Sequence, residues 1–182
     1  MIPRLWVISP DDGRDLAAGI ARFGARGVRG LVLRESRPVA TDVARARAAG
    51  FSHVFAHQRA PDAAVSGADG VHVPDGAPPP PGAWGRSAHS PAAARGALAA
   101  GAAYAWLSPC WTPTSKPEDR RPPLGIAGLL AAGTGPVLAL GGVDAARLTA
   151  LLAAGGYGAA VLGHWWDDPD AIATLVAAAQ PP

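Results

Sequence analysis

Eight short apolar segments, separated by polar or alanine-rich stretches, constrain the fold of this chain more than any other feature of its sequence. Segments that are apolar on both faces and alternate with helical stretches indicate the strands of a parallel sheet. Eight such units in succession favour a closed barrel. The predicted strands are Leu5–Ile8, Gly30–Arg34, His53–Ala56, Gly70–Val73, Trp84–His89, Tyr104–Ser108, Pro136–Leu140 and Gly158–Leu162.

Helical stretches follow most of these segments. An open, doubly wound sheet is the alternative, but it usually carries a glycine-rich first turn. Here the first strand is followed by Ser9-Pro10-Asp11-Asp12. The sequence therefore favours an α/β fold, a compact (β/α)₈ TIM barrel, as one domain over residues 1–182. The predicted helices lie near Gly13–Ala25, Thr41–Ala49, Pro91–Ala100, Gly125–Ala132, Ala145–Ala154 and Pro169–Ala179, and a short turn or helix lies near Pro61–Ser66.

The connection between the fourth and fifth strands departs from this scheme. It contains four consecutive prolines, Pro78–Pro81, which cannot occupy a helix interior because proline lacks the backbone N–H group. We expect the fourth helix to be short or replaced by an extended proline-rich loop. The length of 182 residues, below the roughly 250 residues typical of TIM barrels, agrees with trimmed connections.

Composition excludes several classes of partner. The net charge is +2 and the arginines are scattered, without a basic stripe, so we expect no nucleic-acid partner. Cys110 is the single cysteine, which excludes an intrachain disulfide and a thiolate metal cluster. No apolar run approaches the roughly 20 residues of a membrane span, and the N-terminus does not resemble a signal peptide. We expect a cytoplasmic protein without membrane contact, and a homo-oligomer remains open.

The ends of the predicted strands carry the candidate site. In a TIM barrel the loops at the C-terminal ends of the strands converge on one mouth. Glycine pairs follow the seventh and eighth strands, Gly141-Gly142 and Gly163-His164, where backbone N–H groups can approach a phosphate. The other polar candidates at this mouth are His89, Arg34, His57, Ser87, Thr114 and Lys116.

Five segments, in order along nearly the whole chain, resemble motifs of the thiamine phosphate synthase/TenI family. They are Leu33-Arg34-Glu35, Gly67–Val73, Gly85–Ser90, Ser108–Lys116 and Ala139–Val143. They are similar to that family's Leu-Arg-Glu, Gly-Ala-Asp-Gly-Val-His-Leu, Gly-x-Ser-x-His-Ser, Gly-Pro-x-Phe-x-Thr-x-(Ser/Thr)-Lys and Ala-Ile-Gly-Gly-Ile motifs. The only lysine of the chain, Lys116, falls on the lysine position of the fourth motif. The resemblance implies a TIM barrel that binds a small phosphorylated thiazole or thiamine-related ligand.

The departures from the family motifs indicate which member the chain resembles. Family synthases hold Mg²⁺ on a pyrophosphate with aspartates after strands three and four. At those places this chain has His57-Gln58-Arg59 and Pro74–Ala77, and Gln58 and Ala77 cannot supply the carboxylate oxygen that Mg²⁺ prefers. A lysine expected after Arg34 is Ser36. TenI-type thiazole tautomerases show similar losses and use a histidine on strand five, which corresponds to His89.

The resemblance therefore implies three functions. The first is a TenI-like thiazole tautomerase, an isomerase that acts on a thiazole carboxylate phosphate by proton transfer without a cofactor. The second is a divergent thiamine phosphate synthase, a transferase in which Asp75 and the substrate's phosphates hold Mg²⁺. The third is a non-catalytic binding or regulatory relative.

Each candidate residue has an expected role in binding or catalysis, and for some of them a purely structural role is the alternative. His89 would accept and donate the proton, as histidine does near neutral pH, or would only bond the backbone at a strand end. Arg34 would grip an anionic group or form a salt bridge with Glu35 or Asp11. His57, Ser87, Thr114 and Lys116 would contact substrate, with Lys116 on a lid. Gly141, Gly142, Gly163 and His164 would form the phosphate site, where His164 either binds or blocks.

Overall fold

The computed structural model describes residues 1–112, 121–168 and 171–180 and contains a closed barrel of eight parallel strands. Each strand pairs with its neighbours along the chain, and β1 pairs with β8 to close the barrel. The predicted α/β TIM-barrel fold is therefore confirmed. The strands are β1 Leu5–Ile8, β2 Gly30–Leu33, β3 His53–His57, β4 Gly70–Val73, β5 Trp84–Ala88, β6 Tyr104–Leu107, β7 Val137–Leu140 and β8 Gly158–Val161.

In the part of the chain that the structure describes, six helices cover the outside of the barrel, and three of them begin at a residue whose side chain caps the helix. The carboxylates of Asp15 and Asp144 and the hydroxyl of Ser90 each accept a hydrogen bond from a backbone N–H three residues on, at 2.8–3.1 Å. No helix in the described ranges is long and apolar enough to cross a bilayer. The helices are α1 Leu16–Ala25, α2 Ala40–Ala48, α3 Pro91–Ala99, α4 Gly125–Ala131, α5 Ala145–Ala153 and α6 Ile172–Ala179.

Two connections, both fully described, contain turns in place of a helix. One joins β4 to β5 across residues 74–83, so the prediction that a proline-rich loop replaces the fourth helix is confirmed. The other joins β3 to β4 across residues 58–69. In that loop the Asp62 carboxylate accepts from the backbone N–H groups of Val39 and Ala40, at 2.9 and 3.1 Å, and so caps α2.

The barrel interior is filled by large side chains that lie opposite glycines. Trp6, Phe55 and Tyr104 pack together there, with the Trp6 ring centroid 4.7 Å from that of Tyr104 and 5.7 Å from that of Phe55. A Cβ atom on Gly85 would lie 2.2 Å from the Tyr104 ring, so only glycine fits beside it. The interior is therefore a packed core, and a ligand has room only above it, at the mouth.

Candidate functional site

His89 follows β5 and lies exposed at the C-terminal mouth of the barrel. Its Nδ1 is 3.0 Å from the Ser108 carbonyl oxygen and 2.7 Å from a guanidinium nitrogen of Arg121, and its backbone N–H donates to Asp75 at 3.2 Å. If Nδ1–H donates to Ser108, Nε2 is an unprotonated base. If Nδ1 accepts from Arg121, Nε2 carries the proton. The contacts of Nδ1 thus fit either neutral tautomer. None of these contacts with described residues involves Nε2, so it is the ring nitrogen left for a ligand.

Arg34 follows β2 and is half-buried at the same mouth. Its backbone N–H donates to the Ser9 hydroxyl at 2.7 Å, which fixes the main chain there. The two carboxylates considered as its partners have other cations: Glu35 lies 3.8 Å from Arg37, and Asp11 lies 3.4 Å from Arg59. Among the described residues, no ion pair involves the Arg34 guanidinium. Its charge is therefore available to an anionic ligand.

His57 ends β3 and faces the barrel axis, in register with His72 of β4. Its Nδ1 accepts a hydrogen bond from the Arg59 backbone N–H at 3.2 Å. Burial, and then the cations Arg59 and Arg34, lower the pKa of His57 to about 4 from an ordinary value of 6.5. At neutral pH the ring is therefore uncharged, with its proton on Nε2.

The pKa of His57 predicts a loss of stability in mild acid. Between pH 6.5 and about 4 the unfolded chain binds a proton that the folded chain excludes, so the free energy of unfolding falls as the pH falls through this window. Solvent screens the half-buried ring, and we expect His57 to account for about 2 kcal/mol of this loss. His57→Gln, which keeps a hydrogen-bond acceptor for Arg59, should make the decline shallower.

Urea unfolding of both proteins at pH 7.5 and at pH 4.5 measures this effect. The variant should lose less free energy of unfolding than the wild type between the two pH values. Equal losses in the two proteins would show that His57 does not titrate as described. Burial also lowers the pKa of His72, so part of the decline should persist in the variant.

Ser87 lies near the end of β5, two residues before His89. Its hydroxyl is half-buried and lies 2.9 Å from Nε2 of His72. His72 is fully buried in the barrel and stacks on Trp106, with ring centroids 3.8 Å apart. The His72 ring thus contacts Ser87 from inside the barrel.

The glycines after β7 and β8 adopt backbone conformations that favour glycine. Gly141, Gly142 and Gly163 have φ values of +96°, +62° and +76°. A Cβ atom on Gly142 would lie 2.7 Å from the Thr112 carbonyl oxygen. The Gly142 carbonyl accepts from Arg147, and that of Gly163 accepts from Arg14 at 3.1 Å. Both arginines also form ion pairs, Arg147 with Asp144 and Arg14 with Asp12 and Asp167.

His164 lies in a 3₁₀ turn, Gly163–Trp166, that the sequence did not predict. Its ring is exposed and packs on Trp165 with ring centroids 4.7 Å apart. Trp165 and Trp166 are both buried, and Trp166 packs edge-on against Phe23 of α1. The tryptophan pair therefore anchors the turn and leaves the imidazole beside it in solvent.

The loop after β6 lies partly outside the described residues, and so do two site predictions, Thr114 and Lys116. Cys110, in the described part of this loop, is buried. Burial raises the pKa of its thiol to about 12. The thiol donates to the Leu107 carbonyl at 3.0 Å. Cys110 is therefore a small packing residue and not a nucleophile at neutral pH.

Sequence reasoning did not identify Arg121, Ser108 or Tyr104 as parts of this site. Arg121 reaches His89 from 32 residues further along the chain. No sequence motif predicts this contact, because it joins the loops that follow two neighbouring strands. Tyr104 could have been predicted from the strand pattern. It begins β6, which is the neighbour of β5, and alternate residues of a strand point to the same side of the sheet.

A comparison with known protein families shows to which family this barrel belongs. The family model described as thiamine monophosphate synthase (TMP-TENI) matches residues 7–164. The chain belongs to this family. The resemblance predicted from the five sequence motifs is therefore confirmed, and no match was found among curated proteins.

Solved structures with the same fold include two thiamine phosphate pyrophosphorylases. The one from Pyrococcus furiosus is 21% identical with a TM-score of 0.78, and the alignment covers 97% of this chain and 95% of that one. The one from Bacteroides thetaiotaomicron is 20% identical with a TM-score of 0.65, covering 97% and 94%. KGPDC from Streptococcus mutans is 14% identical with a TM-score of 0.62, covering 98% of each chain. At these identities the likeness shows the fold alone.

Proposed function

We propose that this member of the thiamine monophosphate synthase family is a TenI-like thiazole tautomerase, with a thiazole carboxylate phosphate as substrate and His89 as the acid–base group. The observation that carries the proposal is the exposed imidazole at the barrel mouth, between Ser108 and Arg121. Aromatisation by tautomerisation moves one proton between ring atoms. A single group that accepts and then donates a proton near neutral pH is sufficient for it.

Two anion sites would hold this substrate. The turns at Gly141-Gly142 and Gly163-His164 would bind the phosphate through backbone N–H groups, as helix and turn N–H groups do in many barrels. Arg34, which forms no ion pair among the described residues, would bind the ring carboxylate through its planar guanidinium. A substrate with one anion at each end would be stretched across the mouth, with its ring near His89 and Ser87.

The described residues fit a magnesium pyrophosphate site poorly. Gln58 and Ala77 occupy the places where the family resemblance implies aspartates. Asp75, the nearest carboxylate, accepts a hydrogen bond from the His89 backbone. No group of three or more His, Cys, Asp or Glu side chains in the described ranges is placed to hold a metal ion. Proton transfer by His89 requires no such group.

A divergent thiamine phosphate synthase is the second candidate. The family description and the names of two solved relatives favour it. Asp75 also places one carboxylate at the mouth beside His89. In this case the ligands would be a pyrimidine pyrophosphate and a thiazole phosphate.

Two assays with the same purified protein separate the candidates. We expect the protein to convert the thiazole carboxylate phosphate to its aromatic isomer, followed by NMR, at a rate that a chelator does not change. We expect no thiamine phosphate from hydroxymethylpyrimidine pyrophosphate, thiazole phosphate and Mg²⁺. Thiamine phosphate formation that a chelator abolishes would instead assign the synthase. Tight binding of the thiazole phosphate without turnover in either assay would assign a non-catalytic relative.

A further inference from the structure

A chain of three polar side chains crosses the upper interior of the barrel. The Tyr104 hydroxyl lies 3.0 Å from Nδ1 of His72, and Nε2 of His72 lies 2.9 Å from the Ser87 hydroxyl. Tyr104 and His72 are fully buried, whereas Ser87 is half-buried and reaches the mouth. The chain therefore leads from the closed core to the face where a ligand binds.

The burial of Tyr104 determines how the protons are arranged along this chain. Its pKa is raised well above the usual value by burial, so the phenol keeps its proton. Among the described residues, the only hydrogen-bond partner of that hydroxyl is Nδ1 of His72. A buried hydroxyl that does not donate loses a hydrogen bond that water would supply in the unfolded chain. Tyr104 therefore donates, and Nδ1 of His72 accepts.

The remaining protons follow from this step. Burial lowers the pKa of His72 well below the usual value, so its ring is neutral and carries one proton. With Nδ1 as an acceptor, that proton lies on Nε2 and is donated to the Ser87 oxygen. The Ser87 O–H is then left to donate elsewhere, and Ser87 is half-buried near the C-terminal end of β5.

We propose that Tyr104 and His72 are positioning residues that hold the Ser87 hydroxyl as a hydrogen-bond donor toward the ligand. The ligand atom that lies against Ser87 is consequently an acceptor, such as an anionic oxygen or an unprotonated ring nitrogen. Ser87 lies near the end of β5 and His89 directly follows that strand, so both lie at the same end of the barrel, where one ligand can contact them. The proposal rests on the proposed function only for the identity of that ligand.

The arrangement of protons can be measured without any ligand. Two-bond ¹H–¹⁵N correlation spectra of histidine-labelled protein report which ring nitrogen of His72 is protonated. The expected result is a neutral ring with its proton on Nε2, and loss of this single form in Tyr104→Phe. Tyr157→Phe is the matched control, because its hydroxyl donates to the Ile2 carbonyl away from the mouth, and it should leave the His72 signals unchanged. A wild-type His72 protonated on Nδ1 would overturn the proposal.

Turnover of the thiazole carboxylate phosphate provides the second measurement. We expect Ser87→Ala and Tyr104→Phe each to lower kcat/KM by roughly tenfold, the size expected for one lost hydrogen bond. The double variant should be no slower than Ser87→Ala alone, because both changes remove the same donor. Additive losses would assign Tyr104 a purely structural role. If the wild type lacks turnover but His72 carries its proton on Nε2, the proposed function fails and the positioning role stands.

Discussion

Replacement of His89 by alanine is expected to lower the turnover of the thiazole carboxylate phosphate by about 10²- to 10⁴-fold, the usual contribution of a general acid–base group. The side chain is exposed and its partners lie in loops, so the thermal unfolding temperature should change little. Steady-state kinetics should place the loss mainly in kcat, since the phosphate and carboxylate contacts remain. Added imidazole should restore part of the rate.

The matched control is His53→Gln, at the opposite end of the barrel. His53 begins β3 and contacts the edge of Trp6, far along the strand from the mouth. Its replacement should leave turnover unchanged. Wild-type turnover in His89→Ala would show that another group moves the proton, and Asp75, which contacts the His89 backbone, would be the next residue to replace.

Replacement of Trp6 by alanine is expected to be among the most destabilising single substitutions, with a loss of about 3–5 kcal/mol in the free energy of unfolding. Trp6 is fully buried and packs against Tyr104 and Phe55 in the centre of the barrel. Its indole N–H donates to the Pro3 carbonyl at 2.9 Å. Alanine would leave a cavity between strands that a closed barrel cannot easily contract to fill.

Urea unfolding at pH 7.5 measures this loss, with two variants for comparison. Trp6→Phe keeps an aromatic ring in the same space and should lose less stability than Trp6→Ala. Val65→Ala removes apolar atoms from a side chain that is 84% exposed, so its effect should stay within about 0.5 kcal/mol. Equal stability of Trp6→Ala and wild type would mean that the interior is not packed as described.

Local sequence patterns determined the secondary structure of this chain to within a residue or two at most ends. Every predicted strand is present. Ser90 and Asp144 stand directly before two predicted helices and cap them, whereas Asp15 lies inside the predicted first helix, which begins only at Leu16. Proline runs are equally local, which is why the missing helix between β4 and β5 could be predicted. For the connection between β3 and β4 the sequence left a short turn or helix open near Pro61–Ser66, and the structure has turns there, with Asp62 bonded to the start of α2 more than twenty residues earlier.

For the candidate site, the sequence predicted the positions of the residues but not their surroundings. Parallel strands end at one edge, so the positions of Arg34, His57, Ser87 and His89 at the mouth follow from strand order alone. Their roles in the reaction remain predictions, as do those of Thr114 and Lys116, which lie outside the described residues.

The tertiary structure alone decided what surrounds each of these side chains. The pairing of Arg121 with His89, and the chain from Tyr104 through His72 to Ser87, join residues 15 to 32 positions apart. No local pattern encodes such contacts, because they exist only once the strands are in register and the barrel is closed. The sequence by itself determined the barrel, its family and the location of its mouth. Closure of the barrel decided which hydrogen-bond donors and acceptors the mouth presents. Burial removes water, and each buried polar group is left only with the partners that packing supplies.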